Sequence, residues 1–543
     1  MILAFCLAYS MCFAATDLDA VDWAHIEARG EKHRRALLAC RRYAEGWMEF
    51  ADPVSGLLPR RLRKDFYWNA QDCAADNYPF LVLSSFFTRR DWFTTRMVKI
   101  LETEQRLCNR KGVLPDDYIF QTRTWPEREP DRDALIFGAS EYAKDGLLTL
   151  LERFGDTPWY HRLLGLHDAI WKEAYIETEV GMLPSTSHEV AGNLLQVAAR
   201  LYQRTGMPQY REQAFRLGDY FLLHHHPAHE KKLFLQDHGC EIINGLSEAY
   251  FLAAQTDPAR HQQWKEPMHA LIDAVLRTGR NEDGLLYAVI NPAEGTVVAS
   301  DLTDNWGYDY FAIYTVGLVD QEPRYLEATA EVMAHIERYG DYFWQNNSAD
   351  GIADSLEGGI TLFRHQPDEG AARWIEAMAE RLLRCQRDTG IFEGWYGDGN
   401  SARTLLMYAL YLSQGCWVEP WRADVRVGAV LGPEGTLYVS VAADWPWSGR
   451  LCFDTPRHVE ILNLPYDYPR LNQWPEWFTL PKEGGFSVVG DVNGEYEAEQ
   501  LRRDGLPVTI EDKPLHFAVF REQKETTKSS ANRPEESTGA ANE

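Results

Sequence analysis

Cysteine is scarce in this chain and is not arranged in pairs. Nine occur among 543 residues, and no two stand as Cys-x-x-Cys. That usage excludes a disulfide scaffold and a zinc knuckle. Cys6 and Cys12 fall in an apolar N-terminal stretch. Cys40, Cys73, Cys108, Cys240, Cys385, Cys416 and Cys452 are widely spaced and read as small core residues. Positive charge is also short: 55 Lys and Arg face 81 Asp and Glu, a net charge of −26. A phosphate backbone needs a basic surface, so nucleic acid is excluded as a partner. No apolar run is long enough to span a membrane. There is no P-loop, no His-Glu-x-x-His and no Gly-x-Ser-x-Gly. No cofactor and no metal is expected. The run His224-His225-His226, with His229, ends a solvated helix and reads as surface.

What the chain does have is length, aromatic residues and a recurring pattern. Aromatics are 13%, with 18 Trp and 26 Tyr, residues that fill cores and also stack on sugar rings. The pattern is a glycine or charged pair, a short apolar run, a polar corner and then an apolar helix. It appears at Gly56-Leu57-Leu58, Gly112-Val113-Leu114, Gly181-Met182-Leu183, Leu233-Phe234-Leu235, Gly284-Leu285-Leu286, Gly351-Ile352-Ala353 and Gly390-Ile391-Phe392. Amphipathic helices with charged faces lie between these seven beats, for example Trp159 to Ala174 and Glu369 to Arg387, punctuated by Gly or Pro. A helix that is apolar all round must be buried on all sides. Inner and outer helices alternating in this way predict a mainly α fold, an α/α toroid of six or seven hairpins over residues 20–415. The alternative is an open α-solenoid, against which the irregular spacing and long loops argue.

After Cys416 the period changes to two, as in Leu437, Val439, Val441 and in Leu515, Phe517, Val519. Residues 418–522 are therefore expected to form a smaller β-sandwich-like domain, with Trp445, Trp447, Trp474 and Trp477 filling its contact with the toroid. Residues 523–543 are polar and are expected to be disordered. Met1 to Ala15 reads as a signal peptide with Cys12-Phe13-Ala14 as the cleavage site, so a secreted or periplasmic protein is expected.

The polar corners hold the candidate chemistry. His238 and Glu241 are three apart and share a helix face at its first turn, with Asp237 before them as the better cap. Asp354 and Glu357 match a capping box, followed at once by Gly358-Gly359, whose reason is either close helix packing or room for a ligand. Asp304 and Tyr308 are four apart, with Asn305, Trp306 and Tyr310 beside them. Asp76 and Asn77 follow the densest basic run, Arg60-Arg61-Leu62-Arg63-Lys64, in which Arg61 is offered as an anion clamp. Arg403 follows the turn Gly397-Asp398-Gly399-Asn400. At each corner a cap or core role stands beside the functional one.

A toroid followed by a β domain, behind a signal peptide, resembles exported carbohydrate-active enzymes. The likeness is to six-hairpin glycosidases and, more distantly, to heparinase II/III-type polysaccharide lyases. It covers Asp22 to Glu522 in outline and rests on the seven beats, His238-x-x-Glu241 and Asn305-Trp306-Gly307-Tyr308. The resemblance implies a cleft where the inner helices begin. In a hydrolase, two of the carboxylates Glu241, Asp304, Asp354, Glu357 and Asp76 would do the chemistry, Trp306 would stack on a sugar, and Asp76, Asn77, Asn305, Tyr310, Asp354, Arg403 and Arg61 would bind it. In a lyase, Asn305 would neutralise a uronate while His238 and Tyr308 moved the proton. The acidic balance favours glycoside hydrolysis slightly. Elimination at a uronate is the close alternative, and a non-catalytic glycan-binding protein is the third.

Overall fold

The computed structural model describes residues 18–64, 66–432 and 435–522; of His238 it describes the backbone only. The expected leader over residues 1–15 and the expected disordered tail over 523–543 lie outside the described residues.

Proline and capping residues set where the outer helices begin. Pro158, Pro208, Pro258 and Pro323 each occupy the first turn of a helix, where the missing N–H leaves no bond unmade. Thr157 and Asp257 cap two of these by accepting from Tyr160 N and Arg260 N. In chain order the helices are α1 (Trp23–Met48), α2 (Tyr78–Thr88), the single turn α3 (Arg90–Trp92), α4 (Val98–Leu107), α5 (Arg132–Glu141), α6 (Leu148–Phe154), α7 (Pro158–Lys172) and α8 (His188–Thr205). There follow α9 (Pro208–Asp219), α10 (Cys240–Thr256), α11 (Pro258–Thr278), α12 (Trp306–Asp320), α13 (Pro323–His335), α14 (Ala349–His365), α15 (Glu369–Cys385) and α16 (Asp398–Leu412). A π-helical stretch, Tyr142–Leu147, joins α5 to α6 as one inner rod.

Burial separates the two layers. α10 buries every residue from Cys240 to Ala253, whereas α15 buries one stripe, Trp374, Ile375, Met378, Ala379 and Leu382. The inner elements α2, α5–α6, α8, α10, α12, α14 and α16 pack in that order, and α16 returns to α2, so the ring closes. The outer layer is α1, α4, α7, α9, α11, α13 and α15. Among the described residues the fold is thus an α/α toroid of seven hairpins, one for each beat of the sequence.

Close contacts with an inner and an outer helix explain the glycines beside Glu357. A Cβ on Gly307 of α12 would lie 2.5 Å from the Gly358 Cα of α14, and one on Gly359 would lie 2.4 Å from the Trp374 ring. These glycines let helices approach and leave no room for a ligand. Gly307→Ala is expected to destabilise the fold by about 1–3 kcal/mol through overpacking. A urea midpoint unchanged from wild type would contradict that.

Short strands line the loops that lead into the inner helices: β1 (Tyr67–Trp68), β2 (Asn109–Lys111), β3 (Leu114–Pro115), β4 (Tyr118–Ile119), β5 (Ile176–Thr178), β6 (Gly181–Leu183), β7 (Leu233–Phe234), β8 (Tyr287–Asn291) and β9 (Thr296–Leu302). β1 pairs with β4, β2 with β3, β5 with β6, and β7-β8-β9 form a sheet. They wall one end of the toroid.

The C-terminal strands are β10 (Trp417–Glu419), β11 (Arg426–Leu431), β12 (Leu437–Ala442), β13 (Trp447–Cys452), β14 (Gly485–Gly490), β15 (Gly494–Glu497), β16 (Leu506–Ile510) and β17 (Leu515–Arg521). They make two antiparallel sheets, β11-β12-β17-β14-β15 and β10-β13-β16. Alternate residues such as Val427, Val439, Val441, Phe517 and Val519 meet Val418, Leu451, Val508 and Ile510 in one core. Helix α1 lies against β11.

Between β13 and β14 the chain leaves the sandwich and runs under the end of the toroid opposite the strands, as its floor. Tyr468, Arg470, Leu471 and Trp474 are buried there among the toroid's own core residues. Arg470 donates to Glu152 at 3.1 and 3.2 Å, Arg200 donates to Leu471 O at 3.0 Å, and Trp474 Nε1 donates to Thr149 Oγ1 at 2.9 Å. Of the four tryptophans expected between sandwich and toroid, Trp474 and Trp477 pack against the toroid, Trp447 sits inside the sandwich, and Trp445 is 71% exposed. Trp445 stands beyond the sheet in a turn, where nothing covers it.

Candidate active site

All seven inner helices start at the strand-walled end, so their first turns converge on one mouth. Local chemistry fixes where each starts. Ser348 caps α14 by accepting from Gly351 N at 3.0 Å, which places Asp350 in the first turn and Asp354 in the second. The expected capping box of Asp354 and Glu357 is therefore a correction: an upstream serine wins the cap, and both carboxyls point sideways from a formed helix. Asp237 does not cap α10 either. It sits in a 3-10 turn at φ +54°, and its N–H donates to Asn305 Oδ1 at 2.5 Å.

That bond ties the α10 corner to the α12 corner. Asn305 Nδ2 then reaches Asp354 Oδ2 of α14 at 3.4 Å. From α16, Arg403 Nη2 donates to Asp354 Oδ1 at 2.6 Å, lies 2.6 Å from Glu357 Oε2 and donates to the Tyr308 hydroxyl at 3.2 Å. Tyr308 in turn donates to Glu357 Oε2. Asn400 Nδ2 donates to Asp350 Oδ1 at 3.0 Å. Asp398 holds the loop before α16 by accepting from Phe392, Glu393 and Gly394 N–H groups and from Trp47 Nε1. Four inner helices are thus cross-linked around Asp354.

The carboxyls here do not share one state. Asp304 is 5% exposed, and its Oδ2 has no hydrogen-bond partner among the described residues. Burial, and then the charge of Asp354, push its pKa up to about 8. Burial and then Asp354 also lift Asp350 well above the carboxylate range, despite the bond from Asn400. Two carboxyls with raised pKa values therefore flank Asp354, which is held against a guanidinium and is less buried than either. Burial lifts Glu357 above its usual range, Arg403 working against it. Burial, followed by the carboxylates beside it, raises the Tyr308 phenol well above 10, so it stays a donor.

A second polar layer lies deeper along the axis. Lys144 Nζ donates to Glu241 Oε1 at 2.5 Å and to Asp145 Oδ1 at 2.7 Å, and Gln196 Nε2 donates to Glu241 Oε2 at 2.7 Å. Burial opposes the ammonium, but Asp145, Glu241 and Glu141 outweigh it and hold the Lys144 pKa well above the usual value. Asn472, from the floor, donates to Asp145 Oδ1 at 2.7 Å. Asp309 is fully buried with neither carboxyl oxygen partnered among the described residues; burial, then Glu241, raise its pKa well above 3.8.

Asp304, Asn305, Asp354 and Arg403 thus meet at the mouth. Tyr308 and Glu357 lie just beneath, and Glu241 is in the deeper layer. Asp76 stands half-buried before α2, its backbone carbonyl closing on Gly399 at the α16 corner. The His238 side chain lies outside the described residues. Three expectations need correction. Trp306 is closed in the core against Trp374, with Nε1 donating to Ser355 Oγ at 2.9 Å, so no indole face is open to a sugar. Tyr310 points outward and donates to Gly284 O at 2.6 Å. Asn77 is fully buried and accepts from the Tyr43 hydroxyl of α1. Within the basic run, Arg60 is spent on Asp72, and Arg61 is bridged by its backbone to Trp395. Sequence reasoning missed Lys144, Gln196, Asp309 and Asp350. A Lys-Asp pair inside a helix that must be buried all round was the signal available for Lys144.

No family model matches the sequence, and no curated protein matches it. Among solved structures, the GH76A α-1,6-mannanase from Salegentibacter sp. HEL1_6 is similar at 12% identity and a TM-score of 0.40, covering 69% of this chain and 99% of that one. Cellobiose 2-epimerase from Bacillus thermoamylovorans B4167 follows at 12% identity and a TM-score of 0.36, over 52% of this chain and 86% of that one. A D-mannose isomerase matches at 13% and 0.34, over 45% and 78%. The overlap is one of outline, and no assignment of a reaction rests on it.

Proposed function

We propose that the mouth is the active site of a glycoside hydrolase acting on neutral sugars. The observation that carries this reading is the pairing of a protonated carboxyl, Asp304, with a guanidinium-held carboxylate, Asp354. Hydrolysis of a glycosidic bond needs one carboxyl to protonate the leaving oxygen and another to act on the opposite side of the sugar. Asp304 takes the first role, because its proton is kept at neutral pH. Asp354 takes the second, with Arg403 and Asn305 fixing its two oxygens. Glu357 and Glu241 become positioning residues: one braces Arg403 and Tyr308, the other anchors Lys144. The apolar leader-like stretch Met1 to Ala15 supports action outside the cytosol.

Elimination at a uronate fits this geometry less well. Arg403, the cation at the mouth, is already engaged by Asp354 and Glu357 rather than left to neutralise a uronate. Tyr308 would have to serve as a base, yet its surroundings raise its pKa. The deciding experiment is incubation with a panel of neutral and uronic glycans. Reducing ends released from a neutral glycan, without the ultraviolet absorbance of an unsaturated uronate, are expected. Appearance of that absorbance would replace hydrolysis with elimination. Binding without turnover across the panel would make the protein a glycan-binding module.

A further inference from the structure

An arginine-rich groove lies at the end of α2 opposite the mouth. Two clefts adjoin there, where the turn after α2 meets β10 and β13. One, of about 520 Å³, runs between Phe86–Asp91 and Val418–Trp421. The other, of about 300 Å³, shares Phe86, Arg90, Glu419 and Arg450 with the first and adds Arg153, Arg457, Arg502 and Arg503. Its wall holds six arginines against two carboxylates, Glu419 and Asp454.

The pairing within the groove leaves donors over. Glu419 and Arg450 are cross-strand partners on β10 and β13. Glu419 Oε2 accepts from Arg450 Nη2 at 2.5 Å, and Oε1 accepts from Arg90 Nη2 at 2.8 Å. Each guanidinium carries five N–H groups, so one carboxylate divided between two arginines satisfies a fraction of them. Arg90 and Arg450 remain 48% and 43% exposed. Arg90 is stacked 4.1 Å over the Phe86 ring, which fixes its plane. Asp454 is likewise divided between Arg153 and Arg457. Arg502 is held by Glu460 and Arg503 by Asp504 from the edge of the groove. The indole Nε1 of Trp421, in the wall of the larger cleft, is buried with no partner among the described residues. These surplus groups are donors, which is what an oxyanion needs and a neutral apolar ligand does not.

We propose that this groove binds an oxyanion-bearing ligand, a sulfate ester, phosphate or carboxylate, between Arg90 and Arg450. The site is independent of the chemistry at the mouth. Glu419 is the competing internal anion: burial opposes its charge, but Arg450 and Arg90 hold it below the usual range. A ligand oxyanion would share its arginines. The arrangement therefore predicts opposite signs for two kinds of substitution, which a purely structural ion cluster would not produce.

The test is calorimetric titration of the full chain with inorganic sulfate, inorganic phosphate, a sulfated disaccharide and its unsulfated counterpart. At least one anionic probe is expected to bind, more weakly as salt rises. Arg90→Gln and Arg450→Gln should each weaken that binding by roughly tenfold, and Glu419→Gln should strengthen it. Each arginine variant leaves Glu419 the other arginine, and circular dichroism checks that the fold is kept. If one variant fails to fold, the other and Glu419→Gln still decide. Stronger binding of the sulfated disaccharide than of sulfate would assign the ligand to an acidic glycan; equal binding would assign it to the free anion. The proposal is overturned if no anion binds at millimolar concentration, if the arginine variants bind as wild type does, or if the unsulfated sugar binds equally.

Discussion

Asp304→Asn should lower turnover of a glycan substrate by about 10²–10⁴-fold, the contribution of a positioned general acid. The loss should shrink for an aryl glycoside whose leaving group departs without a proton. That contrast separates a proton donor from a residue that merely shapes the pocket. The pH profile gives a second readout. Burial and Asp354 push the Asp304 pKa up to about 8, so wild-type kcat should fall as pH rises through that value and the donor loses its proton. The asparagine variant, at its low rate, should lack this limb. Stability has the same origin and a definite sign. The folded pKa lies above the unfolded one of 3.8, so the contribution of Asp304 is complete below about 4 and is lost as pH rises towards 8. Asparagine carries no such slope and should make the protein relatively more stable at alkaline pH. A variant with wild-type kcat on natural glycans, or one that keeps the limb near 8, would remove Asp304 from the reaction.

Arg470→Ala should be the most damaging single substitution in the floor. Arg470 has a side chain 1% exposed, donating to both oxygens of Glu152, which is buried equally deeply. Arg200 shares Glu152 at 3.4 Å and pairs with Glu248, to which Tyr468 also donates. Removing Arg470 leaves buried Glu152 with the longer contact to Arg200, and breaking a buried pair costs about 3–5 kcal/mol. The alanine also leaves the volume of a guanidinium empty. Equilibrium unfolding in urea should show the midpoint falling accordingly. Adding Glu152→Gln should recover part of the loss, since the stranded charge is then gone. An Arg470→Ala midpoint within error of wild type would mean that water replaces the guanidinium without cost.

The toroid was legible because its two helix classes differ in composition. A helix such as α10, apolar on every side, has to be surrounded, and one such as α15, with one apolar stripe, has to lie outside. The mouth was legible for a related reason. Asp304 and Asn305 precede an inner helix and Arg403 stands in the second turn of another, so closing the ring brings them together whatever their individual roles. What failed was rotation about the helix axis. In α12 an apolar surround gives no cue to which side faces the centre, and Trp306 and Tyr310 turned out to face away from it. Asp354 failed differently: two carboxyls three apart imitate a capping box, and only the upstream bond from Gly351 N–H to Ser348 decides against it. The floor had no periodicity to read, because irregular chain between β13 and β14 is held by side-chain bonds to residues three hundred positions earlier. Lys144 and its carboxylates were readable in principle as charges inside a buried helix.

The floor also has a consequence for synthesis. A growing chain presents α1 through α16 to solvent before Arg470 exists. Through that interval Glu152, Arg200 and Glu248 can pair with one another, but Arg470 and Tyr468, which complete the cluster, are not yet made, and the lower end of the ring stands open. Helix α1 likewise waits for β11, almost four hundred residues behind it, to cover its outer side. Folding from the N-terminus can assemble the hairpins as they emerge, but the last step is reserved for the C-terminal residues. A polypeptide stopped short at residue 416 would thus carry every side chain of the mouth and still lack the segment that seals the ring beneath it.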